Sequence, residues 1–110
     1  MQIIYGGRQS GRTTRLIEMC AEAEKRGEVS YIVCMTHSNA FSIAQRAKEM
    51  GLFISFPLTF EEFVKHDYYA HNITNLYIDN AELLLQYMCS SGVRLAGVTI
   101  TKQEDEISGD

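Results

Sequence analysis

The residues from Gly6 to Thr13 (Gly-Gly-Arg-Gln-Ser-Gly-Arg-Thr) have the types and spacing to hold a polyphosphate. Gly6, Gly7 and Gly11 let the backbone approach an anion. Successive N–H groups, through Arg8, Gln9 and Ser10, can then converge on one point. Met1 to Tyr5 reads as a short buried strand running into this loop, and Thr13 onward reads as a helix. A helix N-terminus at that point adds further N–H groups and a favourable dipole. Arg8, Arg12 and Arg15 crowd the same place and supply full positive charges. Far downstream, Asn75-Leu-Tyr-Ile-Asp79 is an apolar strand that ends in a carboxylate, the second group here with chemical potential.

The loop fits the pattern G-x-x-x-x-G-K-[ST] at every position except one, where Arg12 stands for lysine. With strand, loop and helix in the right order, the chain resembles the P-loop NTPases, and Asn75 to Asp79 resembles their Walker B segment. The resemblance implies that Gly6, Gly7, Arg8, Gln9, Ser10, Gly11, Arg12, Thr13 and Thr14 bind the phosphates of ATP or another nucleoside triphosphate. It also implies that Thr13 and Asp79 hold Mg²⁺. The competing reading of Asp79 is a helix N-cap. Arginine keeps the lysine's charge but carries a wider planar fork, so the exchange at Arg12 leaves binding safer than catalysis.

In the helicase and terminase type of ATPase, a glutamate that polarises the attacking water usually follows the aspartate. Here the residue is Asn80, whose amide cannot accept a proton. Glu82 could substitute only if its helix begins unusually early; otherwise it is a surface glutamate favoured in a first turn. Gly-Val-Thr99-Ile-Thr101 resembles the sensor-bearing strand of the additional-strand ATPases, which lies between the P-loop strand and the Walker B strand. Thr99 or Thr101 would then face the γ-phosphate. Arg12, Glu82 and Thr99 are thus the candidate catalytic residues. Tyr31 to Ala47 resembles the strand, turn and helix that follow the loop in those enzymes. The resemblance covers most of residues 1–101.

The elements that must position these groups alternate along the chain. A helix from Thr13, with Leu16, Cys20 and Ala23 on one stripe, stops at Gly27. Ser30 to Met35 is an apolar strand covered on both faces. Thr36 to Asn39 reads as a turn, Ala40 to Met50 as a helix closed by Gly51, and Leu52 to Phe56 as a short strand before Pro57. Thr59-Phe-Glu-Glu62 has the form of a capping box, predicting a short helix over Phe60 to His66. Asp67 to Thr74 reads as a loop, Ala81 to Cys89 as a helix and Val93 to Thr101 as a last strand. This order predicts an α/β fold: one P-loop-like domain over 1–101, a three-layer αβα sandwich on a mostly parallel sheet. Residues 102–110 read as a flexible acidic tail. Ligands of such sheets bind at the carboxyl ends of the strands, where the loop and Asp79 would meet.

Composition narrows the function classes. The 110-residue chain suits one domain, and its net charge of −4 gives no overall footprint for nucleic acid. Cys20, Cys34 and Cys89 lack metal or redox spacing, and with no signal peptide in view they read as reduced core thiols in a cytoplasm. His37, His66 and His71 are not at metal-ligand spacing. No stretch approaches the ~20 apolar residues of a membrane span.

Two functions rank nearly level: a minimal Mg-ATP-binding P-loop protein with slow hydrolysis, completed by oligomerisation, and a degenerate module that regulates or inhibits a larger machine without turnover. Compact P-loop chains of this style resemble accessory products of phages or mobile elements, which would work in a host cytoplasm. A thymidine-kinase-like nucleoside kinase is disfavoured, since neither a zinc-binding lasso nor room for an acceptor site is evident.

Overall fold

The run from Ser30 to Cys34 is the centre of the molecule because its side chains are apolar or small on both faces, so it can be covered from above and below. The computed structural model describes residues 1–7, 11–65 and 72–101, together with the backbone of residues 107–108. Along the chain β1 (Ile4–Tyr5) precedes α1 (Arg12–Lys25), β2 (Ser30–Cys34), α2 (His37–Glu49) and β3 (Leu58–Thr59). Then follow α3 (Phe60–Val64), β4 (Asn75–Ile78), α4 (Ala81–Tyr87) and β5 (Ile107–Ser108). All described pairings are parallel. A three-stranded sheet has the order β3-β2-β4, with Val33 opposite Leu58 and Ile78.

The period of two along β2 divides the core. Ile32 and Cys34 face α1 and α2, where they pack with Ile17, Cys20, Ala40, Ile43 and Ala47. Val33 faces the other way and packs with Leu58, Phe60 and Leu84, beneath α3 and α4. This is an α/β arrangement with a parallel sheet and helices on both of its faces, as the alternation of elements predicts.

Both long helices stop by the same local device. After α1 the Glu28 N–H reaches the Ala23 carbonyl and the Gly27 N–H reaches Glu24; after α2, Leu52 reaches Ala47 and Gly51 reaches Lys48. Gly27 and Gly51 have φ of +83° and +71°, the left-handed conformation this stop requires and glycine adopts freely. The capping box on α3 is complete. Thr59 Oγ1 accepts from the Glu62 N–H at 3.2 Å, and Glu62 accepts from the Thr59 N–H at 2.9 Å.

Four expectations are corrected. The segment Thr36 to Asn39 is not a separate turn: Thr36 caps α2 by accepting from the Asn39 N–H, and the helix starts at His37. No strand forms over Leu52 to Phe56; the pairing begins after Pro57, at Leu58–Thr59, because Leu52 is engaged in closing α2. Val93 to Thr101 is not a strand. It is irregular and mostly exposed, and the Gln86 side chain clasps its start, donating to the Val93 carbonyl at 2.8 Å and accepting from the Leu95 N–H at 2.7 Å. Finally, β1 does not join the three-stranded sheet; it pairs with β5, Ile4 opposite Ile107. The described helices of the Phe60–His66 and Ala81–Cys89 predictions end at Val64 and Tyr87. His66 of the expected helix, residues 67–71 of the expected loop, and the acidic tail apart from β5 lie outside the described residues. No described helix is long and apolar enough to cross a membrane.

Candidate functional site

The site is assembled by the start of α1 and the end of β4. Gly11 is the N-cap of α1 with φ 86° and ψ 13°, and no side chain caps the helix. Among the described residues no side chain accepts from the first-turn N–H groups, the condition under which a helix start receives an anion. A Cβ at Gly11 would be strained in this left-handed conformation. Arg8, Gln9 and Ser10 lie outside the described residues. Gly6 is half-buried and Gly7 exposed, and the side chains of Arg12, Thr13 and Thr14 are half-buried.

Thr13 and Asp79, separated by 66 residues in the chain, meet here. Thr13 Oγ1 lies 3.3 Å from Asp79 Oδ1 and 3.4 Å from Oδ2, donating to the carboxylate through a long, shared hydrogen bond. An O–H···O bond is usually 2.7–2.8 Å, so this one is weak. Its length leaves the oxygens poised side by side rather than committed to each other. The Asp79 N–H donates to the Val33 carbonyl at 2.9 Å, which fixes the carboxylate at the carboxyl end of the sheet. Alternation along β4 sends Leu76 and Ile78 to the α3–α4 side and Tyr77 to the α1–α2 side. Asp79 follows Tyr77 and thus turns toward α1.

Burial raises the Asp79 carboxyl above its ordinary value. The Thr13 hydroxyl and the Arg12 charge pull it down, Glu82 pushes it up, and Arg46 pulls it down. The order of these causes is informative: desolvation dominates, so this carboxylate is held charged at a cost. Glu82 lies in the first turn of α4, which starts at Ala81, directly after Asn80. The helix thus begins at Ala81, where the sequence predicts it and no earlier, and Glu82 is an exposed first-turn glutamate whose charge acts on Asp79.

Asn80 is itself unusual. Its φ of 57° and ψ of 62° are left-handed, and it occupies the N-cap of α4 without making a side-chain cap. Asp79 is not that N-cap, so the structural alternative for it is not realised. Thr99, expected on a strand beside the site, is exposed in the irregular segment, and no hydrogen bond joins it to Thr13 or Asp79. Arg46, on α2, is the residue that sequence reasoning missed. Its charge acts on Asp79, and nothing in the motif points to it.

Thr13 and Asp79 offer hard oxygen donors. Among the described residues no three His, Cys, Asp or Glu side chains converge to form a metal cage. Two protein oxygens are the hard, oxygen-only donors that suit Mg²⁺, an ion that keeps several waters in its shell. Elsewhere the chemistry is quieter. Cys20 and Cys34 are buried free thiols, pushed up to about 12 and about 11 chiefly by burial, and unreactive at neutral pH. Arg15 is exposed and faces Glu18 at 3.9 Å. A cleft of about 270 Å³ lined by Ala21, Glu24, Lys25, Gly51, Leu52 and Phe53 lies at the far ends of α1 and α2, away from Gly11 and Asp79. Comparison with protein families, characterised proteins and solved structures finds no match to this chain.

Proposed function

We propose that this protein binds a nucleoside triphosphate, in the ATP class, together with Mg²⁺, as a small P-loop-like domain. The observation that carries the reading is the meeting of Thr13 and Asp79 at the start of α1, whose N-cap is Gly11. A strand end and a helix start that converge across 66 residues need no such oxygen pair for stability, because the bond between them is weak. In this reading the backbone from Gly6 to Gly11 wraps the phosphates and Arg12 neutralises the β- and γ-phosphates. Thr13 and Asp79 are the protein ligands of the metal, which when bound offsets phosphate charge. The raised Asp79 carboxyl suits a group whose charged state awaits a cation.

Turnover is the weaker half of the proposal. Asn80 cannot act as a general base, and the nearest carboxylate in sequence after Asp79 is Glu82. That favours a second reading of the same site, a nucleotide-binding module that controls a partner without turnover.

Isothermal calorimetry with ATP, GTP and ADP, each with Mg²⁺, tests binding. Gly11→Val is expected to abolish it while circular dichroism stays unchanged. Retained affinity in that variant would overturn the loop assignment. A phosphate-release assay on the same protein then separates slow hydrolysis from binding alone.

A further inference from the structure

The helix Ala81-Glu-Leu-Leu-Leu-Gln-Tyr87 has more apolar side chains than one core-facing stripe can use. Leu84 is the residue it buries, against Val33, Leu58 and Phe60. At ~100° per residue, Leu83 and Tyr87 fall on one flank of Leu84, and Ala81, Leu85 and Met88 fall on the other. The first flank faces α3, where the Tyr87 ring meets Phe60 with centroids 5.9 Å apart. The second flank is open. Ala81 is exposed, Leu85 is 45% and Met88 62% exposed, and the three recur at i, i+4 and i+7, the spacing of a helix-packing stripe. Phe60 packs over Val33 and Leu58, on β2 and β3, so the open flank turns the other way, toward β4. β4 ends the strand order β3-β2-β4, and its Leu76 and Ile78, on the α3–α4 side, are only half-buried.

Area and charge both select a second copy of this chain as the occupant. The stripe and the two strand residues offer on the order of 350 Å² of apolar surface. Homodimer interfaces are about 65% apolar, so a two-fold pairing here covers ~1,100 Å² in total, just above the ~1,000 Å² that a specific interface must clear. The Gln86 side chain holds the Val93 carbonyl and the Leu95 N–H, which fixes the exposed Arg94 beside the last turn of α4. Glu82 is exposed in the first turn. Among the described residues neither is in an ion pair. The helix is thus negative at its start and positive at its end. Two copies set antiparallel bring each Glu82 to the Arg94 of the other, whereas two set parallel bring like charges together.

We propose that the Ala81–Leu85–Met88 stripe is a dimer interface, on which a second copy of this chain packs its own α4 antiparallel across a two-fold axis. The interface stands independently of the nucleotide reading above. It gives the surplus apolar residues of α4 a partner that the fold of one copy does not supply.

The test is sedimentation equilibrium of the full chain from about 1 to about 100 µM, which should show a monomer–dimer equilibrium with a micromolar dissociation constant. Leu85→Glu should raise that constant at least about tenfold, because a two-fold axis counts each change twice. Should Leu85→Glu fold poorly by circular dichroism, Met88→Lys makes the same comparison. Phe53→Ser removes a ring that is 74% exposed beside the far ends of α1 and α2, and should leave the constant unchanged. Arg94→Glu should weaken the dimer about fivefold, and adding Glu82→Arg to it should restore the affinity. A chain that stays monomeric to about 100 µM overturns the proposal. So does a dimer that Phe53→Ser weakens as much as Leu85→Glu. If Leu85→Glu disrupts the dimer but the double charge exchange recovers nothing, the antiparallel pairing is overturned.

Discussion

Two stretches of this chain are rich in β-branched and apolar residues and meet different ends. Tyr31-Ile-Val-Cys34 lies between two parallel neighbours, and Ile32 and Val33 are fully buried. Val98-Thr-Ile-Thr101 has similar propensity, yet Val98 is 53% and Ile100 66% exposed and neither belongs to a sheet. The difference lies in what is available on each side. β2 is flanked by β3 and β4 and sandwiched between helices whose apolar stripes fit it. The later segment is clasped near its start by the Gln86 amide. Strand propensity expresses a fit to a half-covered pleated surface, and without that surface it has little to act through.

The first way to break this comparison is to remove core volume from one stretch and apolar surface from the other. Phe60→Ala, at a fully buried position packed with Val33, should cost about 3–5 kcal/mol, and Ile32→Ala about 2–5. Ile100→Ser should change stability by no more than about 0.5 kcal/mol. Urea denaturation of the three variants measures all of this. A large loss from Ile100→Ser would mean that the second stretch is packed after all.

The functional counterpart of the contrast is Thr13 and Thr99, both expected at one site and only the first found there. Asp79, which draws Thr13 in, should reveal a conflict between stability and binding. Its folded-state pKa is raised above the ordinary 3.8. Between those two values the folded chain keeps a proton that the unfolded chain has lost, so stability falls as pH rises through that window and stays reduced above it. Asp79→Asn removes this penalty. The variant should therefore melt higher than the unaltered protein at pH 7, and the gap should close below pH 3.8. Added Mg²⁺ and ATP should raise the melting point of the unaltered protein and leave the variant's unmoved. A lower melting point for Asp79→Asn at pH 7 would identify the carboxylate as a structural anchor instead.

What was legible in the sequence was local. Gly27 and Gly51 ended helices, and Thr59 with Glu62 formed a capping box, because each signal acts within about five residues of itself. The apolar run of β2 was legible because double-sided burial writes itself into consecutive residues. The motif carried Thr13 and Asp79 across 66 residues, which no local rule could have done. Thr36 was missed as an N-cap because its partner three residues on is Asn39 rather than an acid, so no capping box showed. In the sequence Pro57 reads as the end of a strand, whereas it immediately precedes one. The effect of the Arg46 charge on Asp79 could not be read at all, since no local signal links α2 to the end of β4.

Thr36 supplies the next and smaller test. Its hydroxyl accepts from the Asn39 N–H at 3.1 Å on an exposed helix start, so Thr36→Ala should cost about 1 kcal/mol. Gln86→Ala, the equivalent loss in the second stretch, should leave global stability within about 0.5 kcal/mol while accelerating hydrogen exchange at the Leu95 amide. Equal global losses from the two would erase the distinction between a packed region and a merely tethered one.

The smallest net stability change is expected from a glycine at Asn80, where fold and chemistry share one residue. Left-handed backbone costs an ordinary L-residue about 1–2 kcal/mol, and asparagine tolerates it better than most. Asn80→Gly should relieve the conformation but loosen the unfolded chain, and the two effects oppose each other. Its net change should stay within about 0.5 kcal/mol. Asn80→Glu lacks asparagine's tolerance and should cost about 1 kcal/mol. The same substitution places a carboxylate where the resembling ATPases carry their base, and general-base catalysis contributes roughly 10²–10⁴-fold. Phosphate release that rises in Asn80→Glu despite the stability loss would show that the missing base limits turnover. Release that stays at background while ATP still binds would show that the left-handed turn aims residue 80 away from the γ-phosphate. The side chain at this position would then serve the entry into α4, and Glu82, which follows in the first helical turn, would be the carboxylate left to act.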